Sequence, residues 1–360
     1  MASFGHKHEV LSLAACPTAP SLVATVYNDV ATQRGAVWRM PPVSSSGGPS
    51  SSLEPAAADL ELIAQLRSSD EEDKNASRAG LECVAWAASG QPRLVLVSRS
   101  SICEVSIREG GGASSSLSRS LETGPSVGVS SFRGVSASNV GAVAWDPHHA
   151  NEVAAAVDGS VLCFDLRSRE RSHAVERAVF GNGAAGAGLC VRALSYNPNK
   201  PWFIATGGDD FRVRCWDLRK ASGGPVKTLE GHSHWVTGVA FNPFHDQLLL
   251  SCGSDAQTNL WRVSSISSAP LLELDEAEGG EVSGAGEGAS GDGQSAPGTS
   301  DLQPARHRAD AALRVQRDNG ESVCAIAWSM RTAWVYASLS YDGRVVVSQV
   351  PSAEKYKILL

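Results

Sequence analysis

Apolar and polar residues alternate along this chain in short runs, and the runs come in sets of three. Residues 139–168 (NVGAVAWDPHHANEVAAAVDGSVLCFDLRS) hold one set, residues 190–220 (CVRALSYNPNKPWFIATGGDDFRVRCWDLRK) a second and residues 235–265 (WVTGVAFNPFHDQLLLSCGSDAQTNLWRVSS) a third. In each, an alternating run ends in an aromatic residue and meets a turn at Asn-Pro or Asp-Pro. A second apolar run follows, then a turn around an Asp, then a third run closing on an aromatic. Alternation at period two between turn signals predicts half-buried antiparallel strands. Asp158, Asp210 and Asp255 stand six residues before Phe164, Trp216 and Trp261, so the three sets share one register. Weaker copies occupy 80–108 and 322–351. Another opens the chain, where GHKHEVLSLAACP (5–17) parallels GHSHWVTGVAFNP (231–243).

Six repeats, each with three alternating strands and an outer one such as PVKTL (225–229), predict an all-β chain. Four-stranded sheets repeating about every 40–45 residues with Gly-His and Trp-Asp signatures resemble the WD40 type of β-propeller. The expected architecture is one propeller over residues 1–360. Its six recognisable blades fall near 5–66, 80–138, 139–180, 190–229, 235–274 and 318–360. Ser, Gly, Pro and acidic residues fill the stretches near 42–58, 109–126 and 273–312, where disordered insertions are expected. DLELIAQL (59–66) reads as the first blade's outer strand or as a short helix, and the terminal YKILL as the end of the last blade.

His232 and His234, with Trp235 beside them, invite a metal or catalytic reading. The WD40 resemblance gives His232 a structural one instead. In such repeats the His of Gly-His bonds a turn Asp, and a strand Ser or Thr joins both to a Trp. The matching set here is His232, Ser251, Asp255 and Trp261. Partial sets recur: Thr206, Asp210 and Trp216 in the fourth repeat; Ser338 and Asp342 in the sixth; His6, Thr25, Asp29 and Trp38 in the first. A buried Asp is costly unless its oxygens are bonded, so a satisfied network fixes the strands around it. Because the offsets recur in degraded form, Ser251, His232 and Asp255 are not read as a hydrolase triad. The chain has no phosphate-binding loop and no nucleophile elbow, and no third metal ligand follows the His pair. We therefore expect no enzyme, no cofactor and no metal. GGDD (207–210) reads as a strand turn.

The formal charge of −7, with no long basic run, argues against nucleic-acid binding. No apolar stretch is long enough to insert into a membrane, and the N-terminus lacks a signal-peptide core. Eight cysteines without a Cys-x-x-Cys pair read as free buried thiols of a cytoplasmic protein. A monomeric propeller is expected to bind partners through the loops of its top face. Exposed aromatics anchor interfaces, which makes Asp209, Phe211, His234, Trp235 and Tyr341 the candidate partner-binding residues.

The wording narrows the family. GAVWRMP (35–41), NPNKPWF (197–203), GGDD, CWDLRK, PVKTLEGHSHWV (225–236), HDQLLL (245–250), SYDGR (340–344) and KYKILL (355–360) are similar to the EARP and GARP complex-interacting protein family. That resemblance implies an adaptor of the endosome- and Golgi-associated tethering complexes. It would be peripheral at endosomes and the trans-Golgi network and would support endosomal recycling and endosome-to-Golgi retrograde transport. The family looks seven-bladed. This chain starts almost at the Gly-His of what would be the second blade, so either the first blade is missing from this sequence or this version is six-bladed, and an exposed edge between first and last blades is expected. A second resemblance implies a different partner. FDLR (164–167) and WDLR (216–219) look like the element by which WD40 substrate receptors bind a cullin-4-type ligase adaptor, with Arg167 and Arg219 as contacts. The plainer reading is that each Arg bonds a neighbouring acid.

Overall fold

The computed structural model describes residues 8–29, 32–41, 60–66, 80–88, 90–98, 101–107, 121–128, 140–168, 170–175, 189–268 and 310–359. The alternating runs form six antiparallel sheets whose strands pair in sequence order. Sheet one holds β1 (Val10–Ala15), β2 (Leu22–Asp29), β3 (Thr32–Arg39) and β4 (Glu61–Leu66). Sheet two holds β5 (Leu81–Trp86), β6 (Arg93–Ser98), β7 (Ser101–Ile107) and β8 (Leu121–Gly128). Sheet three holds β9 (Val140–Trp145), β10 (Glu152–Val157), β11 (Ser160–Asp165) and β12 (Glu170–Val175). Sheet four holds β13 (Val191–Tyr196), β14 (Phe203–Gly208), β15 (Arg212–Asp217) and β16 (Lys227–Glu230). Sheet five holds β17 (Val236–Phe241), β18 (Leu248–Gly253), β19 (Thr258–Arg262) and β20 (Ala311–Gln316). Sheet six has three strands, β21 (Val323–Trp328), β22 (Val335–Ser340) and β23 (Val345–Gln349), followed by helix α1 (Ser352–Leu359).

The first strand of each sheet packs against the first strand of the next. Second strands are apolar on both faces because a sheet covers each face; β14 and β18 are buried at every residue. Five apolar clusters result, one between each consecutive pair of sheets. Among the described residues none joins sheet six to sheet one. An extra residue recurs near the start of the first strand, shifting the register at Val10/Ser12, Leu81/Cys83, Val191/Ala193, Val236/Gly238 and Val323/Ala325. Such bulges bend a strand and increase its twist.

The turns between first and second strands also link neighbours. His148 Nε2 lies 3.0 Å from the carbonyl of Asn197, Asn199 Nδ2 donates to that of Phe244, and Asn242 Nδ2 to that of Ala333. His149 packs on Trp202 and His245 on Trp334, each pair with ring centres 4.6 Å apart.

Several element limits differ from the sequence reading. Blade five, expected to end at 274, takes its fourth strand from Ala311–Gln316. The acidic stretch therefore lies within blade five, between its third and fourth strands. Asp310 fastens the returning chain: it accepts from the Ser265 amide at 3.0 Å and pairs with Lys227 of sheet four at 3.0 Å. Burial pushes this carboxyl up, but the Ser265 and Lys227 contacts outweigh it and hold it below the usual range. Strand β8 starts inside the stretch assigned to the 109–126 insertion, and DLELIAQL supplies a strand, not a helix. The 42–58 stretch lies outside the described residues.

The terminal YKILL was expected to end the last blade. Its described residues, 356–359, lie in α1, in a run of good helix formers led by Pro351, whose carbonyl accepts from Glu354 and Lys355. Glu354 bonds Arg262 of sheet five at 2.7 Å, and Ile358 packs on the cluster between sheets five and six. The eight cysteines are thiols, not joined in disulfides. Burial pushes Cys83, Cys163, Cys215 and Cys252 up to about 12, so these thiols stay protonated at neutral pH.

Candidate functional site

Sheet five brings His232, Ser251, Asp255 and Trp261 into one bonded chain. Trp261 Nε1 can only donate, and it does so to Ser251 Oγ at 2.8 Å. The Ser251 hydroxyl then donates to His232 Nε2 at 2.8 Å, which leaves the proton on Nδ1 for Asp255 at 3.0 Å. Asp255 also takes the amides of Ser233 and Gln257. Burial raises its carboxyl, but His232 and the two amides lower it by more, and the net position is below the usual carboxylate range. Gly253 lets the chain close around the set: a Cβ there would sit 2.8 Å from Asp255 Oδ1 and 2.9 Å from His232 Nδ1.

The bond order is that of a hydrolase triad, but the surroundings are not. Ser251 is fully buried and the His232 side chain is 1% exposed, so no substrate reaches the hydroxyl. A second donor, Asn259 Nδ2, already faces His232 Nε2 at 3.2 Å.

Other sheets solve the same problem with different residues. In sheet four Trp216 bonds Thr206 at 2.9 Å, and Arg214, not a His, pairs with Asp210. In sheet six Asn319 stands where His232 stands in sheet five; it accepts from Ser338 at 3.4 Å, while Asp342 takes the Ser340 hydroxyl. Ser348, in the Trp position, bonds Gln316 of sheet five. In sheet one Trp38 bonds Thr25 at 2.8 Å and Asp29 pairs with Arg34, while His6 lies outside the described residues. The sequence reading missed Arg214 and Asn319. The available signal was an interior charge or amide opposite an Asp or Ser that lacked its Gly-His.

The exposed chemistry lies beside this network, on the first strand and the β14–β15 turn of sheet four and on the loop entering sheet five. Phe211 and His234 stack with centres 5.6 Å apart, and His234 leans on Trp235 at 4.8 Å. The Arg192 guanidinium sits over the Trp235 ring at 4.3 Å and pairs with Asp209. The row therefore runs Phe211, His234, Trp235, Arg192, Asp209. Phe211 is 38% exposed and Trp235 41%.

Asp209, expected among the partner-binding residues, lies at the end of this row and pairs with Arg192. Its carboxylate also takes the Cys190 amide at 3.0 Å, so it is a partly buried anchor that orients Arg192. Arg192 was missed; it belongs to the surface and projects from the first strand of sheet four. GGDD thus feeds two ion pairs, Asp209 to Arg192 and Asp210 to Arg214. Tyr341 is 76% exposed on sheet six, where its amide bonds the Ser322 carbonyl, and it makes none of the ring contacts of the row.

Phe211 holds a left-handed backbone (φ 67°), at a turn where sheet six uses Gly343. A bulky residue there costs about 1–2 kcal/mol, a strain consistent with a ring kept for contact. Phe211→Gly should leave stability within about 1 kcal/mol, since relief of the turn offsets the lost ring packing, while weakening partner binding. Paired thermal and binding measurements check this; a large loss of stability with unchanged binding would count against it.

The paired arginines differ from each other. Arg219 folds back, with Nε and Nη2 on the two oxygens of Asp217 at 2.9 and 2.8 Å. Arg219 thereby holds Asp217 below the usual carboxylate range. The Arg167 side chain is 79% exposed and only 3.8 Å from Asp165. One further cluster, Asp146, His149 and Glu152, has metal-ligand residue types within 4.8 Å. Asp146 spends its oxygens on the His148 amide and the His149 ring, in the turn that Asn197 and Asn242 make elsewhere. It reads as turn chemistry.

A family profile described as "EIPR1 beta-propeller" matches residues 1–261. The EARP and GARP complex-interacting protein 1 of Rattus norvegicus is 34% identical over 361 residues, covering 98% of this chain and 83% of that protein. Its Homo sapiens counterpart is 33% identical over the same shares. The WD repeat-containing protein DWA2 of Arabidopsis thaliana is 28% identical over 96% of this chain and 81% of its own length.

Proposed function

This chain belongs to the EIPR1 β-propeller family, and from that membership we infer that it is a non-enzymatic scaffold for tethering complexes of the EARP and GARP type. The observation that carries the inference is similarity along almost the whole chain to relatives named for interaction with those complexes. The exposed row from Phe211 to Arg192 supplies the contact: rigid aromatics beside an oriented guanidinium are the residue types that dominate interface energies. Sealing of the Ser251 hydroxyl supports a binding role over catalysis. Among the described residues no helix is long and apolar enough to cross a membrane. The protein would therefore reach endosomes and the trans-Golgi network through its partners and support recycling and retrograde transport there.

The cullin-4 reading is the weaker one, because Arg219 is committed to Asp217. Affinity purification of the tagged chain from its own cells, followed by mass spectrometry, tests both. Tether subunits are expected. Recovery of a ligase adaptor without them would overturn the tether reading.

A further inference from the structure

We propose that Arg192 receives a single carboxylate, an Asp or Glu side chain of an extended partner segment, while a nearby apolar side chain of that segment lies on the rings of Phe211 and Trp235. The proposal rests on the reading that this row meets the tether, and it specifies what the row recognises there. The guanidinium is held from two sides. Its Nε donates to Asp209 Oδ1, and its central carbon lies 4.3 Å from the centre of the Trp235 ring. Asp209 is fixed in turn, because its other oxygen takes the Cys190 amide at 3.0 Å. Among the described residues no acceptor meets Arg192 Nη1 or Nη2, and the side chain is 36% exposed. With Nε committed, the end of the fork remains. Its two parallel N–H donors match the two oxygens of a carboxylate.

The neighbouring charges favour a carboxylate over a phosphate. Three arginines of sheet four are each matched by an acid: Arg192 by Asp209, Arg212 by Glu230 and Arg214 by Asp210. The row therefore offers donors without a surplus of positive charge, which suits a group of single charge. A phosphate group carries nearly two charges and is recognised by clusters of unmatched arginines. The rings define the other half of the ligand. Trp235, His234 and Phe211 continue from Arg192 in unbroken ring contact. An extended chain advances about 3.3 Å per residue, so an acid on Arg192 and an apolar side chain on Phe211 belong to one short segment, a few residues apart.

The test measures the affinity of purified tether for the full chain, for Arg192→Lys and for Trp235→Ala. Lysine keeps a positive charge for Asp209 but cannot present two parallel donors. Arg192→Lys should therefore keep the parental melting temperature and lose at least tenfold in affinity. Carbodiimide treatment of that variant's complex joins an amine to a carboxylate as an amide, with loss of water. It should link position 192 to an Asp or Glu of a tether subunit. If Trp235→Ala weakens binding while Arg192→Lys binds as the parent does, the row is the interface and the carboxylate proposal is overturned. If neither variant weakens binding, the row falls as the interface and the proposal with it; a parent chain that binds no tether overturns the proposed function as well. An affinity loss matched by a lower melting temperature, with a link to Asp209 alone, would make Arg192 structural. A link to an acid of residues 273–301 would make the occupant this chain's own acidic segment, and binding abolished by phosphatase treatment of the tether would make it a phosphate. Each of these three results overturns the proposal.

Discussion

Replacing Asp255 with Ala is expected to cost about 3–5 kcal/mol of stability, the range for removing one partner of a buried pair. The loss is large because several groups depend on this one carboxylate. His232 loses the acceptor for its Nδ1 proton, and the Ser233 and Gln257 amides lose theirs. The misplaced imidazole then no longer receives the Ser251 hydroxyl, and Trp261 loses its fixed acceptor in turn. Urea denaturation of the two chains, compared at the midpoint, reads the effect. A midpoint shift worth less than about 1 kcal/mol would show that the network is dispensable.

The same carboxylate gives a pH signature. Its folded-state value lies below the usual one, near 3.9 in an unfolded chain. Its contribution is fully present above that ordinary value and is lost as pH falls through the depressed value. Asp255→Asn should therefore destabilise the chain at neutral pH and show a shallower further loss in acid than the parent. Parallel acid titrations of the two chains would contradict this.

Trp235→Ala has the largest expected effect on binding. At least about 2 kcal/mol, roughly a thirtyfold loss of affinity for the tether, is expected for a central aromatic anchor. The ring is 41% exposed and carries the Arg192 contact, so its removal also frees the guanidinium to move. Folding stability should change little, which separates this variant from Asp255→Ala. Unaltered affinity, measured with purified tether, would move the interface away from this row.

The three-strand core of each repeat was legible because short apolar runs, bounded by turn residues and closed by aromatics, recur in one register. Outer strands were legible only in part, as at PVKTL (225–229). AALRVQ (311–316) follows a long acidic stretch, is half exposed, and is fixed by Asp310 and its contacts, not by a regular pattern. The terminal helix was misjudged for a related reason. YKILL is apolar enough for a strand, and only the Arg262 pairing, 92 residues back, shows where it docks. The aromatic row was half visible. Phe211, His234 and Trp235 could be placed on one face from repeat register, but the pairing of Asp209 was not legible, because its partner Arg192 lies seventeen residues earlier, on the first strand of that sheet.

The linear succession of sheets has a mechanical consequence. Each sheet holds on to its neighbours alone, so the assembly behaves like a row of coupled units whose local stability is set by the number of interfaces each one shares. Among the described residues, inner sheets share two apolar clusters and the terminal sheets one. At one end α1 adds a clamp through Glu354 and Arg262, and the other end has no comparable fastening among the described residues. Opening should thus begin with β1 and β2 and travel inward, with backbone amides exchanging fastest there and slowest in sheets three and four.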